Sequence, residues 1–472
     1  MTSQSMAGGG DKAFLGHPRA LGYLAFSEAW ERFSYYGMQS LLVLYMVKQL
    51  LLTPQVDTII GFEGFRAFIG GLYGLGRDAS HQEVASTIFG LYTSLVYLTP
   101  ILGGLIADRV LGRTRTIIVG ALLMSAGHFL MAFDASFLLA LLCLVLGTGC
   151  FKGNIAGQVG GLYDEGDLRR ADAFQIFYLG INAGVIAAPL IAGTLGEGVG
   201  WHYGFGAAGV GMLIALGIYL AGRKYLPPDP PLRRVADRAA DRAQRPKLSA
   251  RDWRTIAVLV ALLPVLAASV LVNQQIFNAY LVWADTSVNM TLFGQRLPTT
   301  WLITLDSIVS VSFLALMVVF WRTWATRFKE PDEIGKLTIG TFISVLGALS
   351  LAAGAAVAAA TGTKVSLWWL IAFEIFNSAA FANMLPVSLA LYARASPPAV
   401  LGTMIGVYYL HLVIGNATVG KLGTLLEKMP ATNFWLMHAG IAAGAAVIFL
   451  LVGRFFAKLL SHEAVGAGRT AP

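Results

Sequence analysis

The chain has 472 residues, of which 56% are hydrophobic and only 13% are charged, and its formal net charge is +8. Soluble domains carry about 25% charged residues, so this composition excludes an ordinary soluble protein and indicates a polytopic membrane protein. The excess positive charge is concentrated in a few connections between apolar segments, which favours a solvated linker over a nucleic-acid-binding surface.

Apolar runs of about 20 residues are long enough to cross a bilayer as helices. The sequence predicts twelve of them, near 20–48, 84–107, 115–134, 136–158, 172–195, 202–224, 255–283, 299–322, 337–360, 366–392, 402–426 and 432–458. A polar, basic stretch separates the sixth from the seventh. We therefore predict an all-α membrane protein with two six-helix bundles, 1–225 and 255–460, a cytoplasmic linker over 226–254 and a cytoplasmic tail over 461–472. This arrangement is typical of transporters whose halves move about a central site.

Basic residues orient the chain in the membrane. Ten Lys and Arg residues fall between positions 223 and 254, whereas the connections after the third, fifth and seventh predicted helices together hold one, Arg296. The positive-inside rule then predicts that both termini and the linker are cytoplasmic. Alternating charges over 237–242 predict a short surface helix in the linker.

The first predicted helix carries an unusual polar stripe. Its members recur at helical spacing on one face and are Glu28, Glu31, Arg32, Tyr35, Tyr36 and Gln39. An ionisable side chain at the membrane centre costs about 2.5–3.5 kcal/mol on insertion scales, so such groups face a cavity or a partner. Glu28 and Arg32 are spaced to neutralise each other. A functional site is the prediction, and a purely structural ion pair is the alternative.

Three further stretches suggest function. The connection from Gly103 to Arg113 contains Gly104, Asp108 and Arg109 and resembles the loop signature of the major facilitator superfamily, which has a conformational role. Lys152 lies among apolar residues of the fourth helix, where it meets an acid or an anionic ligand, or else extends to the membrane surface. Asn182 in the fifth helix offers a donor and an acceptor, either to a ligand or to a neighbouring helix.

Taken together, these motifs resemble the proton-dependent oligopeptide transporter family. They read Glu-xx-Glu-Arg-Phe-x-Tyr-Tyr-Gly from position 28, the loop at 103–113, Phe-Lys-Gly-Asn from 151 and Phe-Tyr-xx-Ile-Asn from 177. The resemblance is close over residues 16–225 and looser beyond them. It implies a major facilitator superfamily fold.

The resemblance also implies roles for individual residues. Arg32 and Lys152 would receive the carboxylate of a small peptide, and Glu28 and Glu31 would pair with them and exchange protons. Tyr35, Tyr36 and Tyr97 would line the pocket, and Asn182 would bond the peptide backbone.

The chain departs from the family pattern in its second half. Amides, among them Gln274, stand where relatives have a glutamate in the seventh helix. In the eighth helix, Asp306 and the serine after it replace the family's usual Asn-Pro. Phe381 occupies the position of the glutamate that holds the peptide's amino end. Asp306 or Glu374 replaces that acid, or the register differs, or the substrate lacks a free amino group there.

The sequence thus predicts a proton-coupled symporter of the cell inner membrane that imports di- and tripeptides. Its expected partners are small peptides, protons and membrane lipid, with no cofactor other than the coupling proton and no nucleic acid. One alternative keeps the fold and the coupling but changes the solute to another carboxylate-bearing compound or a modified peptide. Another is a membrane sensor that does not transport. An enzyme is not expected, because no metal motif, phosphate loop or nucleophile–base arrangement stands out.

Overall fold

The computed structural model describes residues 12–164, 166–229 and 248–460, and this part of the chain is almost entirely helical. The helices, in order, are α1 (Arg19–Tyr45), α2 (Gln55–Thr58), α3 (Phe62–Tyr73), α4 (His81–Ile106), α5 (Arg113–Leu130), α6 (Phe137–Gly160), α7 (Arg169–Ala188), α8 (Thr194–Gly198), α9 (Trp201–Gly222), α10 (Ala250–Ser269), α11 (Leu271–Gln274), α12 (Ala279–Ser287), α13 (Trp301–Ala325), α14 (Glu333–Thr361), α15 (Trp368–Ala395), α16 (Leu401–Tyr408), α17 (Leu410–Gly423) and α18 (Ala431–Leu460). The predicted linker helix lies outside the described residues, as does the tail over 461–472.

All twelve predicted membrane segments are helical in the described part of the chain. Ten helices there are long and apolar enough to cross a membrane. The other two predicted spans correspond to α1 and α5. Both carry charged residues, in the middle of α1 and at the start of α5, and these lower the mean hydropathy. The predicted all-α membrane protein is confirmed.

Polar residues mark where several membrane helices begin. Ser80 caps α4 by accepting a hydrogen bond from the Glu83 backbone N–H at 3.2 Å. Ser249 and Asp252 form a reciprocal capping box at the start of α10. Such caps satisfy backbone N–H groups that have no partner within the helix, so they fix where each helix starts.

The seventh predicted helix is not continuous, contrary to the prediction of one helix over 255–283. It is divided into α10, α11 and α12, and the backbone at Asn278 is far from helical, with φ −125° and ψ −107°. Side-chain amides compensate for the break: Gln275 Oε1 accepts from Asn278 Nδ2 at 3.2 Å, and Gln275 Nε2 lies 3.1 Å from His438 Nε2. Irregular backbone at membrane depth needs such partners.

The chain forms two compact units. Among the described residues, the first comprises 12–229 and 290–307, and the second comprises 248–289 and 308–460. In the first unit α1 packs on α7 and α9, and α6 packs on α4 and α5. In the second unit α14 packs on α15 and α18. The exact domain limits predicted from sequence remain a prediction.

Residues 290–307 join the first unit partly through Glu197. The carboxylate of Glu197 accepts the backbone N–H of Thr299 at 2.9 Å and of Thr300 at 2.8 Å, just before α13. The indole of Trp301 donates to Thr194 Oγ1 at 2.9 Å. A carboxylate at this end of a helix satisfies backbone donors and complements the helix dipole.

We expect Glu197→Ala to destabilise the protein by about 1 kcal/mol, the typical effect of losing a helix-capping acceptor. The measurement is the melting temperature in detergent. Glu427→Ala is the matched control, because Glu427 is exposed. Equal melting temperatures for the two variants would contradict a capping role for Glu197.

Candidate functional site

The polar stripe of α1 forms a buried ion cluster in the first unit. Arg32 Nε lies 3.1 Å from Glu28 Oε1 and 2.5 Å from Glu31 Oε2. The side chains of Arg32 and Glu28 are 4% exposed, and that of Glu31 is fully buried. Arg32 Nη2 finds no hydrogen-bond acceptor among the described residues. One guanidinium therefore pairs with two carboxylates and keeps one N–H group without an acceptor in the described part of the chain.

Lys152 on α6 brings a second cation to this cluster. It interacts electrostatically with both Glu31 and Glu28. Its ammonium lies over the ring of Tyr97 on α4, 4.7 Å from the centroid, which is the geometry of a cation–π contact. The lysine therefore lies over Tyr97 and within electrostatic range of both glutamates of the cluster.

Close packing of α4 on α6 places Tyr97 beside Lys152. A side chain at Gly103 would collide with the backbone of Gly149, so the glycine pair lets the two helices touch. Thr99 adds a hydrogen bond from its hydroxyl to the Val145 carbonyl at 3.0 Å. This close approach occurs at Gly103, whereas Gly104 has open space around it.

The charges of the cluster balance when all four groups are ionised. Glu28 and Glu31 contribute −2, and Arg32 and Lys152 contribute +2. Buried charges are tolerated only when they are paired in this way. A ligand carboxylate entering the cluster would leave it with a charge of −1, and one proton bound by a glutamate would restore neutrality.

Tyrosines surround the ion cluster. The guanidinium carbon of Arg32 lies 5.6 Å from the ring centroid of Tyr35, and Tyr35 meets Tyr36 edge to face. The sequence analysis missed Tyr92 on α4, which is buried and interacts electrostatically with Glu31. The only sequence signal was its position in the tyrosine-bearing stretch that also contains Tyr97.

Asn182 and Asp306 have different surroundings. Asn182 Nδ2 donates to the Tyr178 carbonyl of its own helix at 2.8 Å, so its carboxamide is oriented by α7. Helix α7 approaches α1 closely, because a side chain at Gly184 would collide with the Ala29 carbonyl. Asp306 on α13 interacts electrostatically with Tyr36, so this acid lies near the cluster in the first unit.

The second unit contains the remaining candidate residues. Phe381 lines a small cavity with Asn273 and Asn377, and the rest of its lining is Ser269, Val270, Ser344, Ala380, Met384 and Leu385. Asn273 Nδ2 lies 3.4 Å from Asn377 Oδ1, and Gln274 Nε2 lies 3.4 Å from Asn273 Oδ1. Most of this lining is apolar, and its polar members are amides and hydroxyls without an acid.

Glu374 is fully buried and does not line the Phe381 cavity. Its Oε1 accepts a hydrogen bond of 2.6 Å from the hydroxyl of Tyr280 on α12. The ring of Tyr280 also packs on Phe373, with centroids 4.9 Å apart. Glu374 therefore ties α15 to the broken seventh helix, which favours a structural role over a ligand-binding one.

The charged residues of the loop between α4 and α5 differ in their contacts. Arg113 Nη1 donates to the Gly157 carbonyl near the end of α6 at 3.3 Å. Asp108 and Arg109 have exposed side chains. The carboxylate at the start of α5 comes instead from Asp229, which the sequence analysis did not single out: its Oδ2 accepts the Thr114 N–H and its Oδ1 the Thr114 hydroxyl, both at 2.9 Å.

Asp229→Ala is expected to destabilise the first unit by about 1 kcal/mol, because α5 loses its N-terminal acceptor. Thermal unfolding followed by circular dichroism measures this. Asp108→Ala, at an exposed carboxylate of the same loop, is the control and should change little. A variant with unaltered unfolding would show that the Asp229 contact contributes nothing to stability.

Comparison with known sequences identifies the family. A sequence model of the POT family matches residues 114–243 and 242–440. The chain belongs to the POT family. This match confirms the family that the motifs in the first half of the sequence predicted. The family is one of transporters.

Individual relatives and solved structures agree with membership of the POT family. The peptide transporter YePEPT of Yersinia enterocolitica subsp. palearctica is 29% identical, with 96% of each chain covered. A di-/tripeptide transporter of Lactococcus lactis subsp. cremoris is 28% identical, over 95% of this chain and 98% of that one. A mutant of a peptide transporter POT, crystallised with alafosfalin, superposes with a TM-score of 0.80 at 26% identity, over 95% and 96% of the two chains. The chain is thus a multi-pass membrane protein with the helical fold of POT transporters.

Proposed function

We propose that this protein is a proton-coupled symporter that imports di- and tripeptides by alternating access. The observation that carries the proposal is the buried cluster of two carboxylates, Glu28 and Glu31, with two basic groups, Arg32 and Lys152, in a chain of the POT family. Relatives that match over almost their whole length are named as peptide and di-/tripeptide transporters. The protein transports its substrate without transforming it.

The cluster supports a specific coupling mechanism. A peptide carboxylate is attracted by Lys152 and by the spare donor of Arg32. Its arrival withdraws part of the cation charge that faces Glu31 and Glu28. Since a buried carboxylate without a cation is unstable, one of them takes up a proton. Peptide and proton are then bound together and are released together.

Other residues are assigned roles around this centre. Tyr35, Tyr36 and Tyr97 line the peptide pocket, and the oriented carboxamide of Asn182 bonds the peptide backbone. Asp306 offers an acid beside Tyr36. The loop residues Gly104, Asp108, Arg109 and Arg113 serve the conformational change rather than binding.

The protein is placed in the cell inner membrane with both termini and the linker in the cytoplasm. The ten basic residues between positions 223 and 254 support this orientation. The lipid of that membrane surrounds the protein and contacts its outward-facing side chains.

The test is uptake of labelled dialanine into proteoliposomes, with and without an inward proton gradient. Accumulation that the gradient stimulates is the expected result. No uptake by folded, correctly inserted protein would overturn peptide symport. Binding of dialanine without any flux would indicate a sensor instead.

A second candidate substrate is a modified peptide or another carboxylate without a free amino group. The observation that favours it is that Phe381 stands where the family pattern has a glutamate, and that Asn273 and Asn377, which line the same cavity, are amides. Counterflow with dialanine and with N-acetyl-dialanine separates the two candidates. Exchange of the acetylated compound alone would favour the second candidate.

A further inference from the structure

The helix α3 lies between the first two membrane helices in the sequence. Only part of its apolar surface is buried against the rest of the protein. Phe62 is 7% exposed and Ile69 is fully buried, so these two residues face the protein. Phe68 and Leu72 flank that buried face at helical spacing, and each is 59% exposed. The apolar arc therefore continues past the protein contact onto an uncovered flank.

The exposed residues beyond this flank are small or charged. Gly64 and Gly71 are exposed without a side chain, and Glu63 and Ala67 are exposed on the far side. At 3.6 residues per turn, both Glu63 and Ala67 point about 100° or more away from Phe68 and Leu72. A helix with a large apolar flank and a small, polar opposite side is the pattern of helices that lie in a membrane interface.

Hydrogen bonds hold α3 at the end of the membrane helices. Arg66 Nη2 donates to the carbonyls of Arg77 at 2.9 Å and Ala79 at 3.4 Å, immediately before α4 begins. The backbone N–H of Ile60 donates to the Ala135 carbonyl, in the turn between α5 and α6, at 3.1 Å. These bonds hold the segment that contains α3 close to the start of α4 and to the turn between α5 and α6.

Other apolar side chains are exposed near the turn to which the α3 segment is bonded. Near that turn Phe133 is 66% exposed, and Leu139 and Leu142 on α6 are each 53% exposed. In a membrane protein, such outward apolar side chains contact acyl chains. Ile60, which is 76% exposed and bonded to the turn, extends the same surface towards α3.

We propose that α3 lies in the membrane–water interface with Phe68 and Leu72 inserted among lipid acyl chains. Lipid hydrocarbon, rather than a charged headgroup, is the partner, because Arg66 already donates to the two carbonyls. The helix anchors the connection between α1 and α4 to the membrane surface.

Spin labels on the full chain in liposomes test this placement. Cysteines are introduced at Phe68, Leu72, Glu63 and Ala67, one at a time, after Cys143→Ser and Cys150→Ser. Labels at 68 and 72 are expected to collide more with oxygen and less with a water-soluble nickel chelate than labels at 63 and 67. Water-like accessibility at all four positions would overturn the proposal, and so would labels at 68 and 72 that neither reagent reaches, since a protein partner then covers this flank.

A second measurement uses the unaltered sequence, in case the cysteine-free background does not fold. The protein is reconstituted with a lipid that carries a photoactivatable diazirine in its acyl chain, and adducts are mapped by mass spectrometry. Adducts at Phe68 and Leu72 are expected, alongside those on Leu139 and Leu142. Adducts on α6 with none on α3 would refute the membrane contact.

Discussion

Glu31→Gln is expected to reduce uptake driven by a proton gradient to the level of empty liposomes, while exchange of bound peptide continues. The variant leaves Glu28 at −1 against Arg32 and Lys152 at +2, so the cluster carries +1 before substrate arrives. A peptide carboxylate then neutralises it without a proton. Binding survives, and the step that links binding to protonation is lost.

The measurement pairs gradient-driven uptake with counterflow of labelled dialanine in the same proteoliposomes. Asp134→Asn is the matched control, because Asp134 is a carboxylate of the first unit that accepts a hydrogen bond from Tyr45 at 2.6 Å outside the cluster. The control should retain both activities. Gradient-driven uptake by Glu31→Gln at the level of the unaltered protein would remove Glu31 from the coupling mechanism.

Lys152→Ala is expected to weaken peptide binding by at least about thirtyfold, since truncating one partner of a buried charge pair costs about 2 kcal/mol or more. The cluster of this variant carries −1 before the substrate arrives. A peptide carboxylate would bring it to −2, so the ligand is repelled where the unaltered protein attracts it. Isothermal titration calorimetry or a competition assay with labelled dialanine measures the change.

Two variants distinguish loss of charge from general damage. Lys152→Arg keeps the charge and should recover much of the binding. Lys364→Ala removes an exposed lysine that donates to the Asp285 carbonyl at 3.0 Å in the second unit, and it should bind normally. An affinity for Lys152→Ala close to that of Lys364→Ala would show that Lys152 does not receive the substrate.

The membrane fold is predictable because its determinants are local in sequence. A span needs only enough consecutive apolar residues, so every predicted segment falls on helical structure, although the seventh is broken within its predicted range. Glu28, Glu31 and Arg32 are predicted to share a face because helical spacing fixes which neighbours align. The same spacing predicts that Tyr35 and Tyr36 lie beside the arginine.

Contacts between distant segments are not predictable in this way. The break near Asn278 depends on Gln275 reaching His438, 163 residues away, and a hydropathy pattern contains no record of such a partner. Asp229 and Glu197 cap helices that lie far from them in sequence.

Hydropathy, helical spacing and motifs were therefore sufficient to predict the membrane fold, the family and the ion-bearing face of α1. The packing of the helices was needed to show that Lys152 lies over Tyr97, that Glu374 bonds Tyr280, and that Gly103 rather than Gly104 brings two helices together. The physical reason is that periodicity and hydropathy act between neighbours along the chain. Which side chain meets which across helices is set by how the helices pack.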